Sequence, residues 1–343
     1  MKTSGATDTM ANTDDTLVQL NTLVRAKTGD SAARAYSLEA LPGHAGFSYS
    51  FVLERTDGGA PTGKLVLRLA PPNVRISGPA DVVRQAKIMA SMAGTGVPVP
   101  TVYWCGDEPK FFGRPYFVVG YVNGVKLADE PFPMEQMKPL ARKGIETLAA
   151  LHSLPWEPRR NAFGDPFPLS EEMKRLDYLL DRPTLDPAVV ARAPELRERL
   201  RATLPTQARI GCVHGDFQWS NMLFDGGRPV ALIDWEIASN GPTILDLGWV
   251  CFFADPDAWM LTTEQRVRPL TPDEIIEVYA RSVTFPVSPD EIRWFRAFAG
   301  YRFGVITCFN VMLHRRGKRI DPQWEDTGLS APRMFERGLE LIG

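Results

Sequence analysis

The chain has 343 residues, enough for one large domain or two lobes, and its 44% apolar against 23% charged content excludes global disorder. With 39 basic and 41 acidic side chains the net charge is -2, without the basic excess expected of a general nucleic-acid or anionic-membrane binder. No apolar run approaches the roughly 20 residues of a membrane helix; the longest, near Trp249 to Phe253, is cut by Asp255 and Pro256.

The opening stretch, MKTSGATDTMANTDD, lacks the apolar segment of a secretory signal, and residues 1–16 read as a mobile tail. Leu17, Leu20, Leu23 and Val24 then recur at helical spacing behind the capping candidates Thr13 and Asp14. The segment LPGHAGFSYSFVLE (41–54) contains a glycine turn and then alternates like a strand, and KLVLRLAPP (64–72) is a second strand stopped by Pro71 and Pro72. Residues 80–92 predict a helix with Val83, Ile88 and Met92 inward. VPVPTVYWCG and RPYFVVGYV add two further β-prone runs. A turn dipeptide, Asn123–Gly124, marks a boundary, so the expected organisation is a sheet-rich lobe over 17–123 and a larger lobe over 124–343.

Beyond that boundary the pattern turns helical. Met137, Leu140, Ala141, Ile145, Leu148 and Leu151 share one face, and a Pro-rich loop (153–169) and more helix follow to about residue 204. From 272 to 314 the helical period returns, with Trp294, Phe295, Phe298 and Tyr301 as expected core. The four cysteines, Cys105, Cys212, Cys251 and Cys308, include no CxxC pair and read as reduced thiols of a cytoplasmic protein. Four scattered histidines argue against a histidine metal centre: His214 reads as a loop brace, His152 as core, His44 and His314 as exposed.

Between the helical regions lies a compact patch, CVHGDFQWSNMLFDGGRPVALIDWE, residues 212–236. Two short strands, 222–224 and 229–233, flank the turn Asp225-Gly226-Gly227; Asn221 follows Asp216 by five residues, and Asp234 ends the second strand. This pattern suits phosphoryl transfer, which requires one carboxylate to orient and deprotonate the attacking hydroxyl and oxygen donors to hold Mg2+. Asp216 fits the first task, and Asn221 and Asp234 fit the second. A lone Asp or Asn is usually a turn or cap residue; the spacing, the hairpin and the second acid together overturn that default.

HGDxxxxN followed by IDWE resembles the catalytic and metal-binding loops of the aminoglycoside phosphotransferase family. The resemblance implies an α+β, two-lobed protein-kinase-like fold: a small antiparallel-sheet N-lobe for the nucleotide and a larger, mainly helical C-lobe for catalysis and substrate. It implies Asp216 as catalytic base, Asn221 and Asp234 as Mg2+ ligands, Glu236 as a weaker metal candidate, and Asp246 of ILDLGW as a brace of the catalytic loop. For the nucleotide, ATP with GTP as the alternative, it implies a phosphate-covering turn around Gly43, Gly46, Phe47 and Ser48. The hinge FVVGYVNG would meet the adenine edge through the backbone of Gly120 and Val122. Arg68 stands where kinases of this fold carry a lysine, and Gln85 where they carry its glutamate partner, with Asp81 as an alternative partner. These departures keep a nucleotide-binding pseudokinase among the readings.

The acceptor is expected to be a small molecule bearing a hydroxyl, with no nucleic acid or membrane partner and an oligomeric state left open. Residues 124–343 carry 27 basic and 31 acidic side chains, a net of -4, which is weak support for a polycation receptor. A true aminoglycoside O-phosphotransferase stays as an alternative. The N-terminal half resembles the branch containing the kinase domain of acyl-CoA dehydrogenase family member ten, which implies a hydroxyacyl thioester or another small alcohol. No DFG or APE motif marks a protein kinase, and the roughly 90 residues between hinge and Asp216 suit a small-molecule pocket.

Overall fold

The computed structural model describes residues 5–41, 47–127, 133–260 and 268–343; Gly43, His44 and Gly46 lie outside them. The chain divides into two units, Met1–Asn123 with Ala231–Ile237, and Gly124–Val230 with Ala238–Gly343.

The first unit is built on a five-stranded antiparallel sheet. In chain order it contains α1 (Gly5–Thr28), β1 (Arg34–Ala40), β2 (Ser48–Glu54), β3 (Gly63–Leu69), α2 (Val82–Ser91), β4 (Val102–Gly106), the single turn α3 (Pro109–Phe112) and β5 (Tyr116–Gly120). The strand order is β1-β2-β3-β5-β4. Alternation sends Phe51, Leu53, Leu65, Leu67 and Leu69 to a common core with Leu20, Leu23 and Val24 of α1. Helix α1 begins at Gly5, within the stretch expected as a tail, so Thr13 and Asp14 lie inside the helix rather than at its cap. Helix α2 is capped by Asp81, whose carboxylate accepts the Arg84 N–H at 2.9 Å. Strand β1, which pairs with β2, has no counterpart among the sequence expectations.

The second unit is mostly helical. It begins with α4 (Met134–Ser153), α5 (Arg160–Phe163), α6 (Leu169–Leu180) and α7 (Ala193–Ala202). The short strands β6 (Ile210–Val213), β7 (Met222–Asp225), β8 (Arg228–Leu232) and β9 (Ser239–Pro242) follow, β6 pairing with β9 and β7 with β8. The last helices are α8 (Ile244–Ala254), α9 (Pro272–Ser282), α10 (Pro289–Arg315), α11 (Gln323–Gly328) and α12 (Ala331–Ile342). Helix α8 is apolar on nearly every face and is buried accordingly. Gly248 permits its close approach to α10, because a Cβ there would lie 2.6 Å from the backbone carbonyl carbon of Phe295. The expected core aromatics Trp294, Phe295, Phe298 and Tyr301 are all buried on α10. The four cysteines are free thiols. Among the described residues no helix is long and apolar enough to cross a membrane.

Candidate active site

The HGD loop is held by one carboxylate. Strand β6 is buried to Val213, and the next two N–H groups, of His214 and Gly215, each donate to Asp246 at 2.7 Å, one to each carboxylate oxygen. Gly215 has φ +87°, a left-handed conformation that costs a side-chain-bearing residue energy and a glycine little. Asp246 is fully buried and also receives His152 Nε2 at 3.1 Å, while His152 Nδ1 lies 2.7 Å from the Tyr279 hydroxyl. Burial alone would raise the Asp246 pKa, but the His152 contact and the His214 N–H bond hold it below the ordinary carboxylate value. The brace expected at Asp246 and the core position expected for His152 are both present. His214 contributes to the turn by accepting the Asp216 N–H on Nδ1 at 3.3 Å. His314 is half-buried rather than exposed, its Nδ1 accepting the Asp321 N–H at 2.9 Å.

This turn delivers a half-buried Asp216. Its Oδ1 accepts from Gln218 Nε2 at 2.6 Å and from the Trp249 indole N–H at 2.9 Å. Its Oδ2 accepts from Asn221 Nδ2 at 3.0 Å, and the same amide reaches the Asp216 carbonyl at 2.9 Å. Asp216 and Asn221, which the sequence paired by spacing, are thus in direct contact. The Asn221 amide nitrogen is committed to Asp216, so its oxygen is the atom left to meet a cation.

Trp249 was counted in the sequence only as an apolar aromatic. It follows Asp246 by three residues on α8, so the two side chains share a helix face and both reach the HGD loop. That D-x-x-W spacing was the available signal. Arg302 of α10 was also missed; its guanidinium lies 4.8 Å from the centre of the Trp249 ring, donates to Gly215 O at 3.2 Å and pairs with Glu172 at 3.3 Å. Glu172 pairs in turn with Arg175 at 2.8 Å. Burial opposes ionisation of Glu172, yet the Arg175 bonds and the Arg302 charge keep its pKa below the usual range. Neither Arg302 nor Glu172 stands in a local motif, since tertiary packing alone joins α6, α10 and the loop.

In the first unit, β2 and β3 place Ser48 opposite Arg68, whose guanidinium donates to Ser48 Oγ at 2.7 Å. Arg68 also forms an ion pair with Glu236, at 3.7 Å. Of the two partners foreseen for Arg68, Asp81 caps α2 and the buried Gln85 amide donates to Pro79 O at 2.8 Å. Phe47 packs against the sheet core beneath Arg114, 4.7 Å from the guanidinium to the ring centre. Gly120 N–H is taken by Thr101 O at 2.9 Å, whereas Val122 makes no backbone hydrogen bond with another described residue. Asp234 has φ +66°, a left-handed conformation uncommon outside glycine. Gly46 falls outside the described residues. Among the described residues no three His, Cys, Asp or Glu side chains are gathered as a metal site.

A five-stranded antiparallel sheet unit and a mainly helical unit carrying the HGD loop define a protein-kinase-like fold. Residues 38–276 match the phosphotransferase enzyme family, and the chain belongs to it. It is similar to mouse acyl-CoA dehydrogenase family member 10, 26% identical over 261 residues; the match covers 71% of this chain but only 24% of that protein. The fold is shared with a Ralstonia eutropha protein described as a candidate aminoglycoside phosphotransferase, with TM-score 0.74, 19% identity, and coverage of 94% of this chain and 97% of that one. It is shared also with a thermostable mutant of aminoglycoside phosphotransferase APH(4)-Ia in ternary complex with ADP and hygromycin B, with TM-score 0.61, 17% identity, and coverage of 94% and 98%.

Proposed function

We propose that the chain is a kinase that transfers the γ-phosphoryl group of ATP, with GTP as the alternative donor, to the hydroxyl of a small acceptor. Nucleotide binding is assigned to residues 17–123 and catalysis with acceptor binding to residues 124–343. The observation that carries this reading is the Asp216 carboxylate: Oδ1 holds two N–H donors and Oδ2 holds one, so Oδ2 retains capacity for an incoming hydroxyl proton. As the acceptor oxygen bonds to the γ-phosphorus, its proton passes to Asp216 and the bond from that phosphorus to the ADP oxygen breaks.

The donor set fits Mg2+, since Asn221 offers an amide oxygen and Asp234 a carboxylate, both hard ligands of the kind the ion prefers. When bound, Mg2+ neutralises charge on the phosphates. Asn221 and Asp234 are the residues that would hold it. The test is an ADP-release screen with Mg2+ over aminoglycosides, amino alcohols and hydroxyacyl-CoA compounds, with Asp216→Ala as the blank. Turnover with a small neutral or anionic alcohol is expected. Turnover confined to the polycations would reverse the acceptor class, and nucleotide binding without turnover on any acceptor would make the chain a pseudokinase.

On the nucleotide side, Arg68 is the phosphate ligand and Glu236 the carboxylate that orients it, in place of the neutral Gln85. Arg68→Ala is expected to weaken nucleotide binding by about tenfold or more, because charge-assisted hydrogen bonds are worth roughly 1.5–3 kcal/mol. Glu236→Gln should weaken it less and add nothing in the Arg68→Ala background, since one residue acts through the other. Calorimetric titration with and without Mg2+ reads both effects. A Glu236→Gln loss that survives in the double variant, and only with Mg2+, would return Glu236 to the metal.

A further inference from the structure

We infer that Trp249 and Arg302 are positioning residues that aim the Asp216 carboxylate, an inference that rests on the kinase reading above. Indole nitrogen is only a donor, so the 2.9 Å contact from Trp249 Nε1 to Asp216 Oδ1 has one polarity. That bond selects which carboxylate oxygen is occupied: with Gln218 it fills Oδ1 and turns Oδ2, bonded among the described residues by Asn221 alone, toward the acceptor. The Trp249 ring is itself fixed. It is 4% exposed and packs against Phe253 and Phe303, with ring centres 5.0 and 5.6 Å away.

Arg302 joins the indole to the loop backbone. Its planar guanidinium lies 4.8 Å from the Trp249 ring centre and donates to Gly215 O, the residue immediately before Asp216. The ion pair with Glu172 satisfies part of its charge in a site where the Arg302 side chain is 8% exposed. Lysine could keep the charge, but its ammonium is a point charge without the delocalised planar group that here sits over the indole while bonding Gly215 O. The clamp therefore ties the aromatic cluster of α8 and α10 to the base without either residue touching the reacting atoms.

Trp249→Phe keeps the aromatic packing and removes the single N–H. It is expected to lower kcat about tenfold while acceptor KM, nucleotide Kd and Tm stay within about twofold or a few degrees, because one donor to a charged group is lost and the fold is not. Arg302→Lys should lower kcat less, and the double variant should fall short of the product of the two losses. A readout independent of turnover is the indole N–H resonance of 15N-tryptophan-labelled protein, assigned by its disappearance in Trp249→Phe. It should shift markedly in Asp216→Ala, which removes its acceptor, whereas indole resonances remote from the loop stay in place. An indole resonance indifferent to Asp216→Ala, or a Trp249→Phe enzyme with unchanged kcat, would overturn the clamp. An inactive wild type whose Trp249 resonance still follows Asp216 would instead defeat the kinase reading and leave the contact standing.

Discussion

Asp216→Asn should lower kcat by about 10²–10⁴-fold, the usual contribution of a positioned general base, while nucleotide affinity stays within about twofold. The side chains are nearly isosteric, so the change removes the basic oxygen without altering the size of the group. The amide oxygen of the substituted side chain can still accept from Gln218 and Trp249, which donate to Oδ1 at 2.6 and 2.9 Å. Its NH2 would then face the Asn221 Nδ2 that now donates to Oδ2 at 3.0 Å, two donors with no acceptor between them. The variant thus lacks the proton acceptor and also strains the Asn221 contact. Asp216→Ala removes the carboxylate without that donor clash, so comparison of the two separates lost base from disturbed loop. Single-turnover ADP release measures the chemical step, and nucleotide titration tests that binding is retained. A loss of kcat under about fivefold in both variants would remove Asp216 from the role of base.

Where the sequence carried a strict period or a short-range motif, the structure follows it closely. The apolar face read over 134–152 is α4, and the hairpin after Asn221 is β7 and β8. The HGDxxxxN spacing placed Asp216 and Asn221 on one short loop, but the hydrogen bond between them was not read from it, because Asn221 was considered only as a cation ligand. Strand β1 was not legible: RAYSLEA is largely exposed, so it shows no half-buried alternation, and its pairing with β2 supplies the reason it is a strand. The start of α1 was misplaced because Thr13 and Asp14 are good caps in isolation but not helix breakers. Pairing across distant segments was the hardest to see. Arg68 and Glu236 are separated by more of the chain than any local rule spans, and the expected partner Gln85 had been sought on the nearest helix. Trp249 looked like core because it is core; only the single polar atom of its ring serves the loop.

Removal of the Asp246 carboxylate is the second large effect expected, and it acts on the fold before it acts on chemistry. Asp246→Ala leaves the N–H groups of His214 and Gly215 and the His152 ring without their acceptor in a fully buried site. Losing one partner of such a network costs about 3–5 kcal/mol, far more than an exposed ion pair, which is worth about 1 kcal/mol or less. Asp246→Asn should be milder yet still destabilising, because one amide oxygen can replace only one of the two carboxylate oxygens that accept successive N–H groups. The same group sets an acid limit. Its native pKa lies below the ordinary carboxylate value, so the unfolded chain takes up the proton first as pH falls. The Asp246 contribution is therefore complete above the unfolded value and is lost as pH drops through the native one. Denaturant unfolding at pH 7 should show the full deficit of Asp246→Ala, and the gap between wild type and variant should close progressively below about pH 4. A gap that stayed constant down to pH 2.5, or a deficit under 1 kcal/mol at neutral pH, would mean that the loop is held by something other than this carboxylate.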